Sequence, residues 1–329
     1  MSLRTSSSTA DRNALLFLAL ACFWGTSFVA IETGLEYFPP VLFAGVRYVL
    51  AGLVVLAYAV ATTDRWVPRT RAEWLSAGVA GLFVIAAYHA LAYLGQMHVS
   101  APVAAVVVSL SPVLTAVFAA AMLDESLDAV AGVGFLLGVL GVVVVANPDP
   151  ANFLSSNLLG IVLVLLGAAS FALGSVLTAP LRTTLPTESM QAWAMLIGAA
   201  VLLAVSAARG ESVAAIELTL PALASLGYLT LVSSVVSYLI YFALLDRVGA
   251  TEINLVGYLQ PVAAAVTGWA LFGEVVDATT LAGFLVIFVG FALVTRETLR
   301  ARLFGRSAPA AVPNGSATTT RTDGSYDAD

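Results

Sequence analysis

The chain has no lysine, two histidines and a single cysteine among its 329 residues, and only 10% of it is charged. Each shortage excludes something. One thiol, Cys22, cannot close an internal disulfide, and His89 and His98 have no companions at metal-ligand spacing. No metal is expected. All 14 basic residues are arginine and form no patch, which argues against a nucleic-acid partner. The missing lysine reads instead as a bias of a GC-rich or halophilic source. No glycine-rich phosphate loop occurs, so neither a nucleotide nor another cofactor is implied. A soluble domain carries about 25% charged residues, so this composition also excludes a soluble globular fold.

What the chain has in abundance is apolar length. A bilayer core about 30 Å thick takes about 20 helical residues. Runs of that order fall at 14–31, 41–61, 74–94, 101–123, 129–146, 158–178, 190–207, 223–245, 253–272 and 278–294. The expected fold class is an all-α membrane protein of ten transmembrane helices. The first run follows Arg12 as a signal peptide would, but Trp24, Glu32 and Glu36 make no small-residue cleavage site, so it is expected to stay as a helix.

Arginine placement gives an orientation. Arg4 and Arg12, then Arg65, Arg69 and Arg71, then Arg182, Arg247, Arg296, Arg300, Arg302 and Arg306 all fall on one side if the ten spans are real. The other side holds Arg209 with Glu32, Glu36, Asp149, Glu211, Glu217, Glu274 and Asp277. Both termini are then cytoplasmic, in a multi-pass protein of the plasma membrane. The loop with Asp124, Glu125 and Asp128 is the weak point of this pattern.

The sequence also repeats itself. A shift of 149 positions lays Pro112 on Pro261, Glu125 on Glu274, Asp128 on Asp277, Gly134 on Gly283 and Gly141 on Gly290. About a third of the residues between 100 and 141 are identical across the shift, and Gly25 meets Gly174. Each unit holds five helices, an odd number, so the second would enter the membrane upside down. Two inverted five-helix repeats form a common scaffold of secondary transporters, with the solute site between them.

Short strings in this frame carry a resemblance. They are Trp24-Gly25-Thr26-Ser27-Phe28, Arg47-Tyr48-Val49-Leu50-Ala51, Ala90-Leu91-Ala92-Tyr93, Ser109-Leu110-Ser111-Pro112-Val113, Asp124-Glu125-Ser126-Leu127, Gln260-Pro261-Val262 and Gly273-Glu274. In that order the chain resembles the ten-helix EamA type of the drug/metabolite transporter superfamily. It departs at Asp124, where that family more often has glycine. The resemblance implies an exporter of small metabolites, often amino acids or related compounds. The two repeats fall at 14–147 and 158–295, while the Ser- and Thr-rich start at 1–13 and the Ser-, Thr-, Ala-, Pro-, Gly- and Asp-rich tail at 296–329 have too little apolar area to order themselves and are expected to be disordered and cytoplasmic.

Candidate solute-binding residues are the polar and aromatic groups within spans: Trp24, His89, Tyr93, Ser109, Ser237, Tyr241, Asn254 and Tyr258. Each also has a plain packing role open to it. Serine can bond to its own helix, and Trp24 can pack instead of capping a cavity. Asn254, Tyr258 and Pro261 share one helix face, and Thr230, Ser233, Ser234, Ser237 and Tyr241 form a polar stripe. Arg47 is the one arginine inside a span, so it either pairs with Glu32 or Glu36 or touches the solute. Pro112 and Pro261 are kinks or hinges, and Glu125 and Glu274 are helix-end charges that pair structurally or relay protons. Gly134, Gly138 and Gly141 imply close helix contact, within one chain or in a homodimer.

The expected partners are therefore a small-molecule solute and the lipid bilayer. A drug or nucleotide-sugar carrier is the alternative within the class. A membrane-embedded lipid-modifying enzyme would need clustered carboxylates, histidines or metal ligands that the spans lack. A sensor or assembly subunit would leave the repeat unexplained.

Overall fold

The computed structural model describes residues 3–123, 129–147, 156–181, 184–248, 253, 256–294 and 296. Backbone amides in hydrocarbon find no water, so each must bond within its own segment, and helices are the solution. They are α1 (Leu3–Leu35), α2 (Pro40–Thr62), α3 (Arg71–Gln96), α4 (Ala101–Met122), α5 (Ala129–Ala146), α6 (Ser156–Thr178) and α7 (Thr187–Ala208). Next come α8, composed of Leu220–Gly227, Tyr228–Val236 and Ser237–Val248 in succession, then α9 (Val256–Phe272) and α10 (Ala278–Val294). Among the described residues there is no strand. Eight of these stretches are long and apolar enough to cross a membrane; α9 and α10, at 17 residues each, are shorter. The chain is a multi-pass membrane protein.

Two elements differ from expectation. α1 begins at Leu3, so the polar segment read as a disordered start is helical from there on. Once a helix has nucleated, each added residue needs only a favourable propagation step, even through Ser and Thr. α4 is two pieces, Ala101–Val108 and Ser111–Met122, broken at Ser109–Leu110. Pro112 sits in the first turn of the second piece, where its missing N–H costs nothing. Its repeat partner Pro261 lies inside continuous helix and deprives the Gly257 carbonyl of its helical donor.

Glycines set how closely helices approach. A Cβ at Gly134 would sit 2.5 Å from the carbonyl oxygen of Gly290, and one at Gly141 would sit 2.7 Å from that of Gly283. The backbones of α5 and α10 therefore touch. Under the 149-residue shift, Gly134 corresponds to Gly283 and Gly141 to Gly290, so the two contacts are one contact with the halves exchanged. α2 and α7 also pack closely, but there Gly45 and Gly52 make room for the side chains of Leu203 and Leu196.

The helix ends sort onto two faces. On one, Arg247 bonds Asn13 at 3.5 Å, Arg65 bonds Thr184 at 2.9 Å, and Trp193 donates to the carbonyl of Trp66. Arg65 also pairs with Glu73, which closes a capping box with Thr70 at the start of α3. On the other face, α7 ends at Gly210 (φ 74°), with Glu211 N–H bonded to Ser206 and Gly210 N–H to Ala207. That turn aims the Glu211 carboxylate at the first amides of α2, Val41 (3.4 Å) and Leu42 (2.7 Å). A negative group there complements the helix dipole. Glu32 does the same for α4 at Ala101 N–H, 2.9 Å.

Candidate functional site

α3 and α8 each contain a π-helical stretch, Ala80–Ala87 and Tyr228–Val236. The 149-residue shift lays one on the other. Wide turns of this kind are rare and recur at functional sites. Here the one in α8 carries two serines that meet one residue of α2, and the α-helical turns that follow the one in α3 carry a tyrosine that meets the same residue.

That residue is Arg47, only 4% exposed. Its Nε donates to Ser234 Oγ at 3.1 Å, Nη2 to Ser233 Oγ at 3.1 Å and Nη1 to the Tyr93 hydroxyl at 2.9 Å. The guanidinium carbon also lies 4.9 Å from the Tyr48 ring centroid. The expected pairing with Glu32 or Glu36 is not what the structure places there. Glu32 is engaged at α4, and the hydrogen-bond partners of Arg47 are hydroxyls. The reason is geometric. The acids sit at a helix end, whereas the π segment of α8 puts two consecutive serines against the guanidinium.

Next to it, His89 Nδ1 lies 2.8 Å from the carbonyl oxygen of Ile85, and Nε2 lies 2.6 Å from the Tyr48 hydroxyl. A carbonyl only accepts, so Nδ1 carries the hydrogen, and in the neutral imidazole Tyr48 donates to Nε2. Tyr88 packs edge-on to His89 (4.4 Å) and to Phe171 of α6 (5.5 Å). Trp24 of α1 donates Nε1–H to the Ser233 carbonyl at 3.2 Å and packs against Tyr238 (5.8 Å) and Tyr241 (5.6 Å). Residues of both halves thus build one cluster.

On the Glu211 side of the cluster lie two further aromatic rings, from the start of α2 and the turn before it. Phe38 stacks on Phe43 at 4.6 Å, and Phe43 meets Tyr93 edge-on at 5.5 Å. Trp24, Tyr88, Tyr238 and Tyr241 remain half-buried, and each lies further along its helix toward the opposite face.

Among the sequence candidates, Trp24, His89, Tyr93 and Tyr241 meet here. Ser109 and Ser237 turn their hydroxyls to the Val106 and Val232 carbonyls at 2.6 and 2.8 Å, the plain role open to them. Tyr258 lies in a separate apolar cluster, 4.0 Å from the Phe291 ring and 5.8 Å from Phe288, with its hydroxyl buried and without a partner. Asn254 and Glu125 lie outside the described residues. Glu274 follows Gly273 (φ 71°) at the end of α9, beside Gly268 and Pro102. It borders a small cleft with Ser100, Val103 and Asp277. Asp277 caps α10 through Thr279 and Thr280, which holds its carboxyl below the usual range. Tyr88 and Tyr238 were not among the candidates. The signal for Tyr238 was available, since the repeat lays it on His89.

Comparisons with known proteins agree with this architecture. The model of the EamA-like transporter family matches twice, at residues 12–147 and 158–296. The uncharacterized transporter YvbV of Bacillus subtilis is 29% identical over 87% of this chain and 92% of its own length. The uncharacterized inner membrane transporter YedA of Escherichia coli is 30% identical over 84% of this chain and 88% of its own. A solved crystal structure superposes with a TM-score of 0.62 at 20% identity, covering 88% of this chain and 99% of that one, which is a likeness of fold.

Proposed function

Because the chain belongs to the EamA-like transporter family, within the drug/metabolite transporter superfamily, we propose that it exports a small organic metabolite, an amino acid or related compound, by alternating access. It acts as a secondary transporter in the plasma membrane, with both termini in the cytoplasm. The ten helices form two inverted five-helix repeats, and the solute occupies the cluster around Trp24, Arg47, His89, Tyr93 and Tyr241.

The observation that carries this reading is the exchanged glycine contact. Gly134 on Gly290 and Gly141 on Gly283 are interchanged when the halves are swapped. An exchange of this kind between two helices supports a two-fold axis lying in the membrane plane. Two like halves about such an axis can adopt two asymmetric packings of similar energy, one open to each side. In this reading the Phe38–Phe43 stack is the closure on one side. Swapping the roles of the halves would open it.

Purified protein in proteoliposomes is expected to take up labelled amino acids down an imposed gradient. Trp24→Ala and Tyr241→Ala should each lower the rate by about tenfold, the scale of a lost aromatic contact. Ser109→Ala should match the parent, because its hydroxyl serves its own helix. Unchanged uptake in both aromatic variants would refute the assignment of the site.

A further inference from the structure

We propose that the solute carries a carboxylate, and that this group docks on Arg47 while an aromatic or apolar body packs against Trp24, Tyr238 and Tyr241. The proposal rests on the transport reading above and names the chemistry of its site.

Arg47 holds a full positive charge at 4% exposure, and the groups bonded to it, Ser233, Ser234 and Tyr93, are all neutral. An ionised side chain at membrane depth is normally matched by an opposite charge or functional. None of the acids at this end, Glu32, Glu36, Glu211 and Glu217, is among its hydrogen-bond or ion-pair partners; Glu32 caps α4, and Glu211 caps α2 and pairs with Arg209. The neighbouring ionisable group, His89, is bound to Ile85 and Tyr48. A guanidinium has five N–H donors, and three of the five are engaged. Two donors and one uncompensated charge remain, which is the complement of a single carboxylate.

The fixed cation also has half-buried aromatic neighbours. Trp24, Tyr238 and Tyr241 pack on one another at 5.6–6.5 Å, with Trp24 tied to the backbone of Ser233, whose hydroxyl contacts Arg47. A ligand lying along this surface meets rings first and the guanidinium at its end. A doubly charged phosphate would ask for a second cation. No other arginine of the chain falls within a span, and the chain has no lysine.

The test uses four probes of one shape: phenylacetate, phenylacetamide, phenethylamine and phenyl phosphate. Binding to the full chain in nanodiscs is read by isothermal titration calorimetry, and flux by uptake into proteoliposomes. Phenylacetate is expected to bind about tenfold or more tighter than the amide, the scale of hydrogen bonds to a charged group. Arg47→Gln should erase that preference without abolishing amide binding, and Arg47→Lys should keep part of it. Should the glutamine variant misfold, the acid-to-amide ratio of the parent and of the lysine variant decides alone.

An amide, amine or phosphate bound as tightly as the acid, or an acid preference that survives Arg47→Gln, would overturn the proposal. So would undetectable binding of the acid. Amide flux at the rate of the acid would leave the transport reading standing and remove the carboxylate site. Acid-selective binding with no flux of any probe would do the reverse.

Discussion

Leucine placed at both Gly134 and Gly141 is expected to prevent stable assembly of the chain. Each Cβ would fall 2.5–2.7 Å from a carbonyl oxygen of α10, a distance no side chain tolerates. The obstacle is backbone, so no rotamer change relieves it, and the helices must separate. Overpacking a core costs about 1–3 kcal/mol per site even where side chains can yield, and here they cannot. Between membrane helices no hydrophobic driving force compensates, since lipid tails are as apolar as leucine. The double variant should lose the monodisperse peak on size exclusion and unfold at much lower denaturant than the parent. Gly132→Ala serves as the control. Nothing lies within 4 Å of its Cβ position, and alanine in a helix is favoured over glycine by about 1 kcal/mol. A stable, monodisperse leucine variant would mean that α5 and α10 do not touch as described.

Arg47→Met is expected to leave a protein about as stable as the parent and almost without transport. The two effects separate because the charge is costly where it stands. Replacing a buried ionic group with an apolar side chain of similar size is often neutral or stabilising. The guanidinium is held by three neutral hydroxyls, which can bond back to their own helices once it is gone. Uptake should fall by about a hundredfold, because hydrogen bonds to a charged group carry about 1.5–3 kcal/mol. Thermal unfolding should move little. Loss of stability equal to the loss of transport would instead make Arg47 a tie between α2, α3 and α8 with no part in solute handling.

Much of the fold is written in the primary structure, because a bilayer imposes a length and a polarity on each span. The pattern of Pro112, Gly134 and Gly141 recurring at Pro261, Gly283 and Gly290 was visible as identities at one offset. Which glycine met which was not, since that depends on two helices crossing. The π turns in α3 and α8 left no local trace: Ala80–Ala87 is an ordinary apolar run. Without them, the serines of α8 read as a stripe with no target. Arg47 stood out as a charge in a span, but its partners did not. Sequence distance favoured Glu32 or Glu36, whereas the fold brought Ser233 and Ser234 to it. The break in α4 fell at Ser109–Leu110, ahead of Pro112. The break falls in the turn before the proline, where the Val108 carbonyl loses its helical donor, so the kink expected at Pro112 takes the form of an interruption of α4.

Two-sided reach to a single position tests the proposed mechanism most directly. Cys22 is the one cysteine, so Cys22→Ser gives a thiol-free background, and Tyr238→Cys then places one thiol beside Trp24. A membrane-impermeant thiol reagent applied to right-side-out and to inverted vesicles should modify that thiol from either side, with gradient direction shifting the balance between them. Modification confined to one side under every gradient would contradict a site that opens alternately to the two faces of the membrane.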